Sequence, residues 1–232
     1  ASSVAHFLDA PAGKHGFVRA KDGHFVTDAG PIRFHATNLT GPANFPKHAD
    51  ADKLASRLAR LGINCVRLHF MDTWYINFMP QPTQAILADD TTTQRNLDPS
   101  QLEKLDYMIA AFKKRGIYVD INLHVGRTLD ERDGFPNIKE LSWANKAIGQ
   151  FEPRMIELQK EYARKLLTHV NPYTGNAYTD EPSVAMIEIS NEDGLTPHYY
   201  NGMLDRLPEP YASELRRQWN VWLHAKYADE AA

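Results

Sequence analysis

Cysteine, long apolar runs and an excess of one charge are all scarce in this sequence. Cys65 is the only cysteine in 232 residues, which excludes an intrachain disulfide and a cysteine metal cluster. No apolar run reaches the length of a membrane-spanning helix. There are 26 basic and 29 acidic residues, so a net charge of −3 does not favour binding to nucleic acid or to a membrane.

The first five residues, Ala-Ser-Ser-Val-Ala, lack the charged and apolar regions of a signal peptide. A mature secreted protein begins in this way, and so does a trimmed chain. We expect a secreted or periplasmic protein.

The predicted elements are a β-hairpin at 16–26 followed by four strand–helix units. The strands are predicted at 32–38, 63–70, 117–124 and from Val184 onward, and the helices at 50–61, 99–115, 151–170 and 211–227. This alternation predicts one α/β domain over 16–232 with a parallel sheet, preceded by a lead segment over 1–15. Most of the strand-to-helix connections are long, and functional sites lie at that end of parallel strands.

The most informative stretch is Val184–Gly194, an apolar run that stops in Asn-Glu-Asp-Gly. Its middle suits a strand that is buried on both faces. Alternation along a strand predicts that Glu188, Ser190 and Glu192 share one face. Because burying an unpaired carboxylate is costly, two carboxylates on one face of the strand indicate a functional role. The alternative is a strand that simply ends in a polar turn.

Polar residues recur on one face of every predicted strand. They are Arg33 and His35, then Arg67 and His69, then Asp120, Asn122 and His124, and finally Glu188, Ser190 and Glu192. A doubly wound sheet buries both faces under helices and is apolar on both. A barrel has an inward face whose rim holds a polar site, so the pattern favours a barrel wall. The alternative is an exposed or edge face.

In these residues the sequence resembles the retaining glycoside hydrolases built on a (β/α)8 barrel, the clan that includes family 5 cellulases and mannanases. The matching pieces are Cys65–His69 on the second strand, Leu123-His124 closing the third, and Ile187–Glu192 closing the fourth. The resemblance implies an α/β fold of the TIM-barrel type. The chain would carry its first half, four strands with their helices, preceded by a hairpin that plugs the bottom of the barrel.

The resemblance also implies roles for single residues. Glu192 matches the general acid/base, Asn191 the residue that binds the sugar 2-hydroxyl, Arg67 the arginine that orients the nucleophile, and His124 a histidine lining the subsite of cleavage. Looser matches are the rim residues His69 and Asn38, and the loop aromatics Trp74, Tyr75 and Trp143 as sugar-stacking platforms. For the aromatics, local packing is the alternative.

The sequence departs from the family at the nucleophile, which is a glutamate at the end of the seventh barrel strand. The segment after Tyr211 contains no such strand, and Glu188 lies too deep on the fourth strand to replace it. We therefore expect a retaining hydrolase of β-linked glycans whose nucleophile lies outside this chain. A second half-barrel would supply it, as the C-terminal part of the same protein, a split subunit or a second copy.

Two alternatives remain open at this stage. One is a catalytically inactive half-barrel that binds carbohydrate. The other is a metal-dependent barrel hydrolase whose ligands are His35, His69, His124 and Glu192, although none of them has the spacing of a local metal motif. We expect an oligo- or polysaccharide substrate, no cofactor, and neither a nucleic acid nor a membrane as a partner.

Overall fold

The computed structural model describes residues 3–74, 84–88, 95–127 and 129–227, and for residues 142–145 it describes the backbone alone. Within these residues seven strands form two sheets. None of the helices in the described residues is both long and apolar enough to span a membrane.

The smaller sheet is antiparallel and contains the predicted hairpin. Its strands are β1 (Arg19–Lys21), β2 (His24–Thr27) and β3 (Gly30–Pro31), in the order β1-β2-β3. Asp22 and Gly23 connect β1 to β2 with φ angles of 50° and 76°. Positive φ at both central residues is typical of the two-residue turns whose twist matches that of a hairpin.

The larger sheet is parallel, with its strands in chain order as predicted. It consists of β4 (Ala36–Thr40), β5 (Cys65–His69), β6 (Tyr118–His124) and β7 (Val184–Ser190). β4 begins four residues later than predicted because the side chain of Asn64 forms hydrogen bonds with the backbone of the residues that precede β4. This amide donates to the Arg33 carbonyl at 2.8 Å and accepts from the His35 amide at 2.7 Å. The prediction that Arg33 and His35 belong to the strand is therefore wrong.

Six α-helices lie in the described residues, and the four longest match the predicted ones. They are α1 (His48–Arg60), α2 (Pro99–Lys114), α3 (Asn145–Ile148), α4 (Pro153–Leu167), α5 (Leu195–Tyr200) and α6 (Tyr211–Lys226). The Asp98 carboxylate caps α2 by accepting from the amides of Ser100 and Gln101. Gly62 and Gly116 follow α1 and α2 with φ of 76° and 78°, the left-handed conformation that ends many helices.

The main core lies between the sheet and its helices. Val66 and Leu68 of β5 and Val119, Ile121 and Leu123 of β6 pack with Leu58 of α1, Leu105, Ile109 and Phe112 of α2, and Tyr162 and Leu166 of α4. The lead segment packs on the same helices, since the Val4 amide donates to the Arg60 carbonyl at 3.2 Å and the Ala12 amide to the Lys113 carbonyl at 2.9 Å.

The opposite face of the sheet is the inner face of the half-barrel, and the lower end of this face is apolar. Cys65 and Tyr118 are buried there against Ile32 and Phe34, which follow the small sheet. The rings of Phe34 and Tyr118 lie 5.6 Å apart, edge to face. Burial raises the pKa of the Cys65 thiol to about 12. The hairpin thus closes the bottom as predicted, and the fold is the first half of a (β/α)8 barrel.

The prediction that the fourth barrel strand is buried on both faces is wrong. Ile187 and Ile189 on the helix-facing side of β7 are 40% and 79% exposed. β7 is the last strand in the sheet order, and α6 packs elsewhere. Tyr211 and Leu215 of α6 join a second core that the long connection after β6 builds with α4, while Trp219, further along α6, is 55% exposed.

That connection is one of the long strand-to-helix connections expected from the sequence. In the structure it contains short 3-10 helices at Glu131–Asp133 and Ile138–Ala144, followed by α3. The second core is formed by Leu129, Phe135, Ile138, Leu141, Ala147, Ile148, Phe151, Met155, Leu158, Leu207 and Tyr211. It holds the connection beside the carboxyl end of the sheet.

Candidate active site

Arg67 is the hub of a polar network on the inner face of the sheet. Its Nε donates to Glu188 Oε1 at 2.8 Å and its Nη2 to Glu188 Oε2 at 2.5 Å, a bidentate ion pair. The same Nη2 lies 2.9 Å from Asn191 Oδ1 and 3.2 Å from Asn122 Oδ1. One guanidinium therefore connects β5, β6, β7 and the turn that follows β7.

Two carboxyl groups below the rim, those of Glu188 and Asp120, have pKa values that their surroundings shift in opposite directions. The hydrogen bonds from Arg67 lower the pKa of Glu188. Burial raises the pKa of Asp120 to about 6, and the negative charge of the adjacent Glu188 adds to the rise. Glu188 is thus held ionised, while Asp120 keeps a proton to a higher pH. The expected polar row of Arg67, Asp120, Asn122 and Glu188 on one face is confirmed.

His69 joins this network and Asn38 lies beside it. His69 Nδ1 donates to Asn122 Oδ1 at 2.7 Å, so that buried amide oxygen accepts from both His69 and Arg67. Burial lowers the pKa of His69, which favours the neutral imidazole. Asn38 is paired with Arg67 in the register of β4 and β5, but its amide donates to the Thr40 hydroxyl at 2.9 Å.

Glu192 does not continue the alternation of β7. The strand ends at Ser190, and Glu192 has a φ of 57°, in the left-handed region. The prediction that it shares a face with Glu188 is wrong because the chain turns between them. Its side chain is 81% exposed at the carboxyl end of the sheet, and Lys146 Nζ lies 3.8 Å from its Oε2.

His124 is sandwiched between two buried carboxylates at the end of β6. Its Nδ1 lies 3.5 Å from Asp72 Oδ2 and its Nε2 lies 3.5 Å from Asp193 Oδ2. Asp72 also accepts from the amides of Val125 at 2.9 Å and Gly126 at 3.3 Å. Burial lowers the pKa of His124, and Asp72 opposes this. The side chain is only 5% exposed, so His124 lies beneath the rim rather than open to solvent.

Asp193 and Lys146 were missed as site residues. Burial raises the pKa of Asp193 to about 7, and Lys146, with Nζ 3.9 Å from Oδ1, acts against this rise. Lys146 Nζ also donates to the Asn191 carbonyl at 2.8 Å. The polar cluster that ends β7 was a signal for Asp193. No sequence signal marks Lys146, since it comes from a connection 45 residues earlier.

The structure describes the side chain of one of the three predicted sugar-stacking aromatic residues. Trp74 is half-buried, whereas Tyr75 and the side chain of Trp143 lie outside the described residues.

In the part of the chain that the structure describes, no group of three or more His, Cys, Asp or Glu side chains could hold a metal ion. His69 is bonded to Asn122 and His124 lies between its two carboxylates, so these histidines have other partners.

The arrangement offers a proton-transfer group and an oriented amide at one rim. Glu192 projects its carboxyl group from the end of β7 toward solvent. Because the Oδ1 of Asn191 accepts from Arg67, its Nδ2 is oriented as a donor for a ligand hydroxyl. A carboxyl group beside such a donor is suited to acid/base chemistry on a hydroxylated ligand.

The chain is similar to known proteins over most of its length. Residues 28–201 match the family model described as cellulase, glycosyl hydrolase family 5. Mannan endo-1,4-beta-mannosidase 1 of Oryza sativa subsp. japonica is 26% identical over an alignment of 194 residues that covers 79% of this chain and 42% of that protein. Mannan endo-1,4-beta-mannosidase F of Aspergillus fumigatus is 25% identical over an alignment of 189 residues that covers 78% of this chain and 40% of that protein.

The endo-1,4-beta-mannanase of Rhizomucor miehei shares the fold, with a TM-score of 0.58 at 19% identity over 76% of this chain and 48% of that one. The chain thus spans about two fifths of the length of the curated relatives and about half of this solved structure. Since the family model covers three quarters of its residues, the chain belongs to glycosyl hydrolase family 5.

Proposed function

We propose that this chain is the acid/base-bearing half of a retaining hydrolase of β-linked glycans, with β-1,4-linked mannan as its substrate. The hydrogen bond between Arg67 Nη2 and Asn191 Oδ1, 2.9 Å long, carries the proposal. It orients the Asn191 side chain beside Glu192 at the carboxyl end of β7, where sites of this fold are built. The choice of mannan rests on the relatives, which are named mannan endo-1,4-beta-mannosidases.

In this proposal Glu192 is the general acid/base. It gives its proton to the glycosidic oxygen as the leaving sugar departs, and then takes a proton from the water that attacks the glycosyl-enzyme intermediate. A glycan bound over the rim would cover this exposed side chain and displace its water. Asn191 would donate its Nδ2 hydrogen to the 2-hydroxyl, a contact that strengthens in the transition state.

The nucleophile of this proposal comes from outside the chain. A retaining site needs a second carboxylate about 5 Å from the first. Glu188 is held in a bidentate pair by Arg67, and we assign it to anchoring that arginine rather than to attack on the sugar. A second half-barrel would bring the nucleophile and would cover Ile187 and Ile189, which β7 leaves exposed. It is the C-terminal part of the same protein, a split subunit or a second copy.

The test is hydrolysis of β-1,4-mannan and of 4-nitrophenyl β-mannoside by the chain alone and together with a complementing half-barrel. We expect activity only in the combined form, with retention at the anomeric carbon. Glu192→Gln should lower kcat/KM on mannan by about a hundredfold or more, and kcat/KM on the nitrophenyl substrate by much less, because nitrophenolate leaves without a proton. Asn191→Ala should lower both. Glu131→Gln, a change at an exposed carboxylate, should have no effect.

Three results would refute the proposal. The first is full activity of Glu192→Gln on mannan, and the second is inversion at the anomeric carbon. The third is binding of mannan without hydrolysis in every combination, which would favour an inactive carbohydrate-binding protein. Azide should partly restore the turnover of nitrophenyl mannoside by Glu192→Gln, since it attacks the intermediate without needing a base. We retain the prediction of a secreted or periplasmic location, where polysaccharide is available.

A further inference from the structure

Lys146 of α3 is a buried cation directly beneath the turn that follows β7. Its side chain is 9% exposed. Its Nζ donates to the Asn191 carbonyl at 2.8 Å and lies 3.8 Å from Glu192 Oε2 and 3.9 Å from Asp193 Oδ1. Three consecutive residues of the turn thus face one ammonium group.

This contact set is what the turn needs in order to keep its shape. A non-glycine residue in the left-handed region, as Glu192 is, persists only where its surroundings enforce that conformation. Asn191 is held at both ends of its main chain, because its amide donates to the His124 carbonyl at 2.8 Å and its own carbonyl accepts from Lys146. A buried ammonium group in turn requires such partners.

We propose that Lys146 is a positioning residue, which holds the turn so that the Glu192 carboxyl group reaches the glycosidic oxygen, whereas Arg67 holds the Asn191 side chain. This inference rests on the proposed function of Glu192. The proposal assigns a function to the connection between β6 and α4. The second core holds α3 in place, and α3 carries Lys146. The alternative is a cation that only compensates the buried charge of Asp193. In that role its loss would not affect mannan more than a substrate whose leaving group needs no proton.

Lys146→Met keeps the length and shape of the side chain and removes its charge and its hydrogen bond. The variant is measured in whichever form hydrolyses mannan. We expect kcat/KM on mannan to fall at least tenfold and kcat/KM on 4-nitrophenyl β-mannoside to fall less than threefold, because only mannan needs a well-placed acid. Lys139→Met, at an exposed lysine of the same connection, should leave both within twofold of wild type. Equal losses on the two substrates, or no loss on mannan, would overturn the proposal.

A second measurement separates this inference from the proposed function. Hydrogen exchange of the Asn191 amide should be at least tenfold faster in Lys146→Met than in wild type or Lys139→Met, since one of its two main-chain restraints is gone. If wild type hydrolyses no glycoside in any form, the proposed function fails, and the exchange rate alone then decides whether Lys146 holds the turn. An unchanged rate refutes that role.

Discussion

Replacing Asp193 with asparagine should remove a large part of the pH dependence of stability. The Asp193 side chain is fully buried, and burial raises its pKa from 3.8 to about 7 against the opposing effect of Lys146. The folded protein therefore binds this proton more tightly than the unfolded chain does. The resulting stabilisation is fully present below about pH 4 and is lost as the pH rises through about 7.

The size of the effect follows from the shift. A difference of about three pKa units at about 1.4 kcal/mol per unit corresponds to at most about 4 kcal/mol lost between pH 4 and pH 8. Asparagine has no proton to lose in this range. The free energy of unfolding of Asp193→Asn, measured relative to wild type, should therefore rise by up to about 4 kcal/mol over the same interval.

Urea unfolding at half-unit steps from pH 4 to pH 8 measures this difference. The groups that face Asp193 are Asp72, His124, Lys146 and Glu192. They are present in both proteins, so they contribute to the difference only through their interaction with Asp193. Asp205→Asn, a change at an exposed carboxylate of the following segment, is the matched control and should give a flat difference. A flat difference for Asp193→Asn as well, or one that falls with pH, would refute the assignment of a buried group that titrates near neutrality.

Two further predictions concern hydrogen bonds to other carboxyl groups. Arg67→Met should raise the pKa of Glu188, because the hydrogen bonds of Arg67 are the largest cause of its lowering, and carboxyl 13C NMR should show this shift, whereas Arg216→Met should not move Glu188. Tyr178→Phe should lower the free energy of unfolding by about 1.5–3 kcal/mol, since the buried hydroxyl donates to Asp106 at 2.6 Å. Tyr173→Phe, which removes a bond between exposed groups, should cost clearly less in the same urea assay, and equal costs would contradict the role of burial.

Much of the fold was predictable because it depends on local patterns. The stripes of α1 and α2, their glycine stops, and the Asp22-Gly23 turn are all short-range signals. The start of β4 was not predictable, since it depends on the side chain of Asn64, nearly 30 residues later in the chain. The exposure of Ile189 was not predictable either, because an apolar strand residue does not reveal whether a helix covers it.

The candidate site was predictable only where strand periodicity applies. The row of Arg67, Asp120 and Glu188 follows from alternation within β5, β6 and β7. Alternation fails at Glu192, because a left-handed residue reverses the chain at that point. Lys146 reaches the site through a connection whose short helices have no strong periodic pattern, so only the assembled structure brings it to Asn191.

Asn191 joins two parts of the site that differ in character. Its side chain is bound by Arg67, within a network that is anchored on the sheet, whereas its main chain is bound by His124 of β6 and Lys146 of α3. Loss of Arg67 should therefore free the Asn191 amide, which binds the sugar in the proposed function, while the turn keeps its shape. Loss of Lys146 should instead let the turn shift and carry Glu192 with it. The two variants are thus expected to fail differently, the first on every glycoside and the second mainly on those whose leaving group needs a proton.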